Sequence, residues 1–210
     1  MRNPITALAL LACLSALSSA PLAAQSPSVG VVDMERVAAE YRAMQQLNRQ
    51  FQDFQRQQET LLQRHQRAQM LADSERQEYF DLLDKSAPTQ EAANRIASLE
   101  RLSAERSRTL TTLRETTDRT PEQDQELERL AALHERRTDE LLALHGAVEQ
   151  TVLAKYEELS KIITDSVNAA VKQTAEAKGL TLVLRKEVVL FGGADITDDV
   201  LARLNESPAG

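Results

Sequence analysis

Cysteine is almost absent from this 210-residue chain; Cys13 is the only one. A lone thiol excludes an internal disulfide framework and paired-cysteine metal or redox motifs. Tryptophan is missing, and three tyrosines and four phenylalanines are the whole aromatic complement. So few aromatics argue against a large globular core. Only six glycines occur, and they are scattered, so no glycine-rich phosphate loop can form. Basic residues are outnumbered, 25 against 32 acidic, for a formal net charge of −7. That balance argues against nucleic acid as a partner. The three histidines, His65, His134 and His145, fall in no motif with an acid or a thiol. No catalytic residue, metal or cofactor is expected, and the chain does not read as an enzyme.

What is present begins with an export signal. Arg2 precedes an apolar stretch, Ile5 to Leu17, and Leu22-Ala23-Ala24 offers a cleavage site before Gln25. Residues 1–24 therefore read as a secretory signal peptide, which places the mature chain in the periplasm. The stretch is short for a span of ~20 residues. Cys13 would leave with the signal; its lipidation after Leu10-Leu11-Ala12 is the lesser alternative. Removing Arg2 leaves 24 basic residues against the 32 acidic.

The middle of the chain reads as long helix. Asp33 can cap a helix starting at Met34. Apolar residues then recur at Val37, Tyr41, Met44, Leu47, Phe51 and Phe54, in steps of three or four. That is close to a heptad seam. The seam weakens at Gln58, resumes at Leu61 and includes His65. No glycine or proline interrupts Met34 to Lys85, which predicts one helix of ~50 residues, about 75 Å long. Pro88 marks a first break. Thr120-Pro121-Glu122-Gln123 combines an N-cap, a first-turn proline and a capping-box partner, so it marks a helix start. The last helix should run from Pro121 to about Lys178 and stop at Gly179. Its seam includes Leu141, Leu144, Val148, Val152, Leu159, Ile163, Val167 and Val171.

Sheet-forming material lies only at the ends of the mature chain. Val29-Gly30-Val31-Val32 precedes the helices; Leu180 to Leu184 and Val188 to Phe191 follow them. Gly192-Gly193 reads as a turn, and Thr197 as the cap of a short helix with Val200 and Leu201. The helices must therefore go out and come back. This gives a mostly α fold with a split body, 25–33 and 179–205, and a helical hairpin, 34–178, whose tip lies within 85–121. Residues 206–210 form a tail. Three short strands cannot make a stable core alone. Yet Val29, Val31, Val32, Leu182, Leu184, Val188, Leu190, Phe191, Ile196, Val200 and Leu201 are apolar and need partners. Identical chains supply them most simply, so these residues are the expected oligomerisation body.

The signal, the Val29-Gly-Val-Val-Asp-Met-Glu-Arg-Val37 segment, the hairpin and Gly179-Leu-Thr-Leu-Val-Leu184 together resemble the Skp/OmpH family of periplasmic chaperones. Val188-Val-Leu-Phe191, a turn, Asp195-Ile-Thr-Asp198 and Val200-Leu201 carry most of that resemblance. It implies a homotrimer with a β-barrel-like intersubunit core and coiled-coil tentacles enclosing a cavity. The implied activity is ATP-independent holding of unfolded outer-membrane proteins, with the outer-membrane assembly machinery as a further partner. The best-known members are basic, whereas this chain is acidic. Its surplus arginines lie in 42–76 and 95–119, where they would serve electrostatic capture or, more simply, pair along a solvated helix face.

Client binding needs dilute exposed apolar surface. Met44, Met70, Tyr79 and Phe80 are the candidate contacts, methionine being adaptable. Met70 and Phe80 lie off the best seam and are expected to be exposed. The competing function is a structural coiled-coil adaptor of a cell-envelope complex, although flanks of about 9 and 32 residues leave no room for the larger β-domains of such adaptors.

Overall fold

The computed structural model describes residues 28–206 apart from 86 and 88. The signal peptide, Cys13 and residues 207–210 lie outside the described residues. The chain is mostly helical, with a three-stranded parallel sheet in the order β2-β1-β3. The strands are β1 (Val29–Val32), β2 (Leu182–Arg185) and β3 (Ala194–Asp195). The helices are α1 (Met34–Glu40), α2 (Arg42–Arg67), α3 (Asp73–Leu83), α4 (Gln90–Glu115), α5 (Pro121–Ala177) and α6 (Thr197–Glu206).

Parallel strands cannot be joined by a tight turn; they need a crossover. Between β1 and β2 the crossover is the whole helical excursion, which pairs Val29 with Leu182 and Val31 with Leu184. Between β2 and β3 it is only Lys186 to Gly193, beginning with a 3-10 turn, Lys186–Val188. Gly193 reaches φ +91 and lies against Val31: a Cβ there would meet Val31 Cγ1 at 2.7 Å. The loop thus passes over one face of the sheet. The other face carries Val32 and packs on a core with Val37, Tyr41, Val167, Ile196, Val200 and Leu201.

Polar contacts fasten this body. Asp33 caps α1, accepting from the Arg36 amide at 2.9 Å. The Thr197 hydroxyl accepts from the Asp33 amide at 3.0 Å and donates to Asp195 at 2.6 Å, linking the ends of β1 and β3 to α6. Thr197 is the first residue of α6 rather than its cap; Asp195 takes the capping role by accepting the Thr197 amide. Gly179, at φ +65, ends α5, and the Leu180 amide closes back onto the Ala175 carbonyl. That is the left-handed glycine stop expected of a helix C-terminus.

The helical arms run up, back, up and down. The turn after α2 sends α3 back along it, with Phe80 stacked on His65. The α3–α4 pair is antiparallel, with Glu75 on Arg106 and Glu78 on Arg95. The chain reverses at Thr116–Thr120, and α5 returns to the body as one helix of 57 residues, about 85 Å long. Its start is the capping box of Thr120 and Gln123 with Pro121 in the first turn.

The continuous helix expected over Met34 to Lys85 is interrupted twice, in both cases without glycine or proline. At Tyr41 the backbone is extended and the ring drops into the body core. The carbonyl and amide freed on either side are met by one side chain: Asn205 donates to the Glu40 carbonyl and accepts from the Arg42 amide. At Ala68–Ala72 the turn buries Ala68, Met70 and Leu71. There Ser103 accepts the Met70 amide at 3.1 Å, and Arg106 donates to the Met70 carbonyl at 3.2 Å. Tertiary burial outweighs helix propensity at both places, because groups from elsewhere replace the lost helical bonds.

Removing the Asn205 amide should therefore loosen the α1–α2 junction. Asn205→Ala is expected to cost about 1–2 kcal/mol, read as a lowered urea midpoint at fixed protein concentration; a loss under about 0.3 kcal/mol would show that solvent satisfies the break equally well.

Candidate functional site

Two apolar surfaces stand out. The first is on the body. Strand neighbours in register point to the same side of a sheet, so Val29, Val31, Leu182 and Leu184 share the face opposite the core. Of these, Leu182 and Leu184 are exposed. The crossover loop adds Val188, Leu190 and Phe191, and the last is 99% exposed. The expected strand Val188–Phe191 does not form: Val188 closes a 3-10 turn, the next residues are irregular, and the third strand is Ala194–Asp195. In a single chain that apolar run has no neighbouring strand to pair with. The proposed body residues thus divide in two. Val31, Val32, Ile196, Val200 and Leu201 are buried within the chain, Val29 is half-buried, and Leu182, Leu184, Val188, Leu190 and Phe191 are exposed.

The second surface lies between α2 and α5. Where Gln58 stands on the α2 seam, with Gln55 a turn before it, the space opposite Val148 and Val152 is not filled. A recess of about 450 Å³ opens there. A second, of about 230 Å³, continues it toward the body past Met44, Leu159 and Ile163. Both are lined by Phe51 and Tyr156, whose rings stack at 5.8 Å. Leu153 and Tyr156 on this groove, and Leu142 further along α5, are more than half exposed. Leu153 and Leu142 stand beside the α5 seam rather than on it. An apolar residue out of step with its seam was the available signal for both.

The candidate contacts fare differently. Met44 lies on the groove, half-buried against the body core. Met70 and Tyr79 are interior. Met70 packs with Leu110, Leu113 and Leu130, because the turn after α2 swings it inward. Tyr79 donates to Glu100 at 2.9 Å, and burial together with that carboxylate pushes the phenol up to about 12. Phe80 is half-buried between His65 and the guanidinium of Arg76, 5.4 Å from its ring centre. Neither Met70 nor Phe80 is therefore freely exposed; the turn after α2, invisible to a seam count, carries Met70 in against α4 and α5 and brings Phe80 back onto His65.

Many of the arginines expected to face solvent instead tie helices together. Arg67 pairs with Glu100, Arg76 with Glu140, Arg95 with Glu78 and Arg106 with Glu75, each across two helices. Arg137, 5% exposed, joins Asp73 and Glu140. The Arg137 guanidinium, with Arg136 beside it, holds the Asp73 carboxyl below its usual range. Within 42–76 and 95–119, Arg42, Arg49, Arg64, Arg101, Arg108 and Arg114 make no ion pair among the described residues.

The sequence model of the family described as "Outer membrane protein (OmpH-like)" matches residues 28–204. That span runs from the residue before β1 into α6. No curated protein and no solved structure matches the chain.

The cluster behind Phe80 makes the arms sensitive to pH. Arg76 donates to His65 Nδ1 at 2.8 Å, which requires a neutral imidazole. Burial, then the Arg76 charge, holds His65 below its ordinary 6.5. The unfolded chain takes up that proton first as pH falls. Stability from this contact is complete above the ordinary value and is lost as pH falls toward the depressed one. The wild type should therefore lose more urea resistance between pH 7.5 and 5 than His65→Gln, whose amide can accept from Arg76 at any pH. Equal slopes would remove His65 from the account. The carboxylates Asp73 and Glu75, also held low, act only below their ordinary 3.8 and 4.5.

Proposed function

The chain belongs to the Skp/OmpH family, and from that premise we propose that it is an ATP-independent periplasmic chaperone that holds unfolded outer-membrane proteins. The observation that carries this is the α2–α5 groove: apolar recesses and exposed Leu153 and Tyr156 on a long helical arm, with polar residues between them. Spaced apolar sites can engage an unfolded chain without forming a patch large enough to aggregate the chaperone. The family's role in handling outer-membrane proteins supports the same reading, as a binding protein rather than an enzyme.

In this proposal residues 1–24 direct export, 25–33 with 179–205 form the oligomerisation body, and 34–178 form a tentacle. The outer face of the sheet is what joins the copies. Burying an exposed valine, leucine or phenylalanine side chain contributes about 1.5–3 kcal/mol, and five such side chains lie on that face or on its loop. A trimer closed about this face would cover the free sheet edges in a barrel-like core and set three tentacles around a cavity. The outer-membrane assembly machinery is the receiving partner.

Two measurements test it. The protein should suppress aggregation of a urea-unfolded outer-membrane barrel protein diluted into buffer without nucleotide, at about one trimer per client; no suppression at several-fold excess would refute the holdase. Native mass should read three chains, and Leu190→Asp with Phe191→Asp should give one. An unchanged mass would show that the copies join elsewhere.

A further inference from the structure

The groove is not neutral. Its floor is apolar, but its lining includes two charged side chains, Glu59 on α2 and Glu149 on α5. Neither makes an ion pair among the described residues, and both are exposed. The bases of the same stretch are taken up along their own helices: Arg56 with Asp53, Lys155 with Glu158 at 2.8 Å and Lys161 with Asp165 at 2.5 Å. Arg49, which has no ion pair, is not among the lining residues. The recess nearer the body is lined by Asn48, Ser160 and Thr164 as its polar residues and holds no charge. The groove is therefore polarised along its length. Two free carboxylates stand at the end away from the body, and Glu59 is eight residues, about 12 Å of helix, beyond Phe51.

We infer that the α2–α5 groove selects cationic apolar segments: a stretch of unfolded chain seats its apolar side chains past Phe51 and Tyr156 toward the body, with a lysine or arginine between Glu59 and Glu149. This rests on the holdase reading and names the segments it takes. The charge complementarity sets both the preference and the direction in which the segment lies. An acidic segment would bring like charge to the two carboxylates with no base in the lining to offset it. Two exposed ion pairs are each weak, so the expected discrimination is about fivefold rather than absolute.

The test uses the full mature chain and two fluorescent peptides that alternate leucine with serine, one ending in two lysines and the other in two glutamates. The lysine peptide should bind about fivefold tighter at low salt, with the gap closing near ~0.5 M salt. In the double variant Glu59→Gln/Glu149→Gln, the two peptides should bind alike. Leu153→Ser/Tyr156→Ser should weaken both peptides together. Equal binding by the wild type, or a preference that survives the double glutamine variant, overturns the inference. If an unfolded barrel protein is still held in that case, the holdase reading stands without it; if no unfolded client is held either, both fall. If Leu153→Ser/Tyr156→Ser lowers the native mass without any peptide present, the groove is an interface between copies and the inference is likewise overturned.

Discussion

Everything in this structure depends on the pairing of β1 with β2 in parallel. An antiparallel pair could have been closed by a hairpin a few residues long. A parallel pair obliges the chain to leave the sheet at one end and re-enter it at the other. Here that obligation is met by the whole stretch between Val32 and Leu182, most of it helical. Whatever the chain runs outward it must run back, because α5 has to deliver it to the start of β2 beside β1. Four passes, rather than two, let a 57-residue return helix be matched by three shorter ones.

The unequal construction of the two directions has a physical basis. The return arm is a single helix without a break. The outward arm is broken where burial gains exceed the cost of lost helical bonds, and each break is served by a side chain from another element. Asn205 reaches the first from α6, while Ser103 and Arg106 reach the second from α4. The ion pairs across α3, α4 and α5 act in the same way. They fix which helix lies beside which and leave the apolar contacts to supply most of the stabilisation.

Features governed by local chemistry were legible in the sequence: the Asp33 cap, the Thr120 capping box, the Gly179 stop and the restriction of strands to the two ends. The family was legible in its terminal segments. What escaped was set by long-range packing. No local signal marks Tyr41 or Ala68–Ala72 as breaks, since the groups that make them tolerable are 33 to 165 residues away in sequence. The inward turn of Met70 follows from the same cause. Val188–Phe191 was misjudged for the opposite reason: its β-type composition is plain, but composition does not form a strand without a neighbour. On the groove, the weakening of the seam at Gln58 was visible, and the opening lies there. Leu153 was hidden by sitting next to a seam residue.

The crossover also imposes an order in time. Helical turns and the contacts between adjacent helices close short loops and form quickly, whereas β1 and β2 must find each other across the whole excursion. A chain that enters its compartment amino-terminus first presents Val29–Val32 long before Leu182–Arg185 arrives. The sheet is therefore assembled last, on arms already built. An incomplete chain therefore has its helices but not yet its sheet.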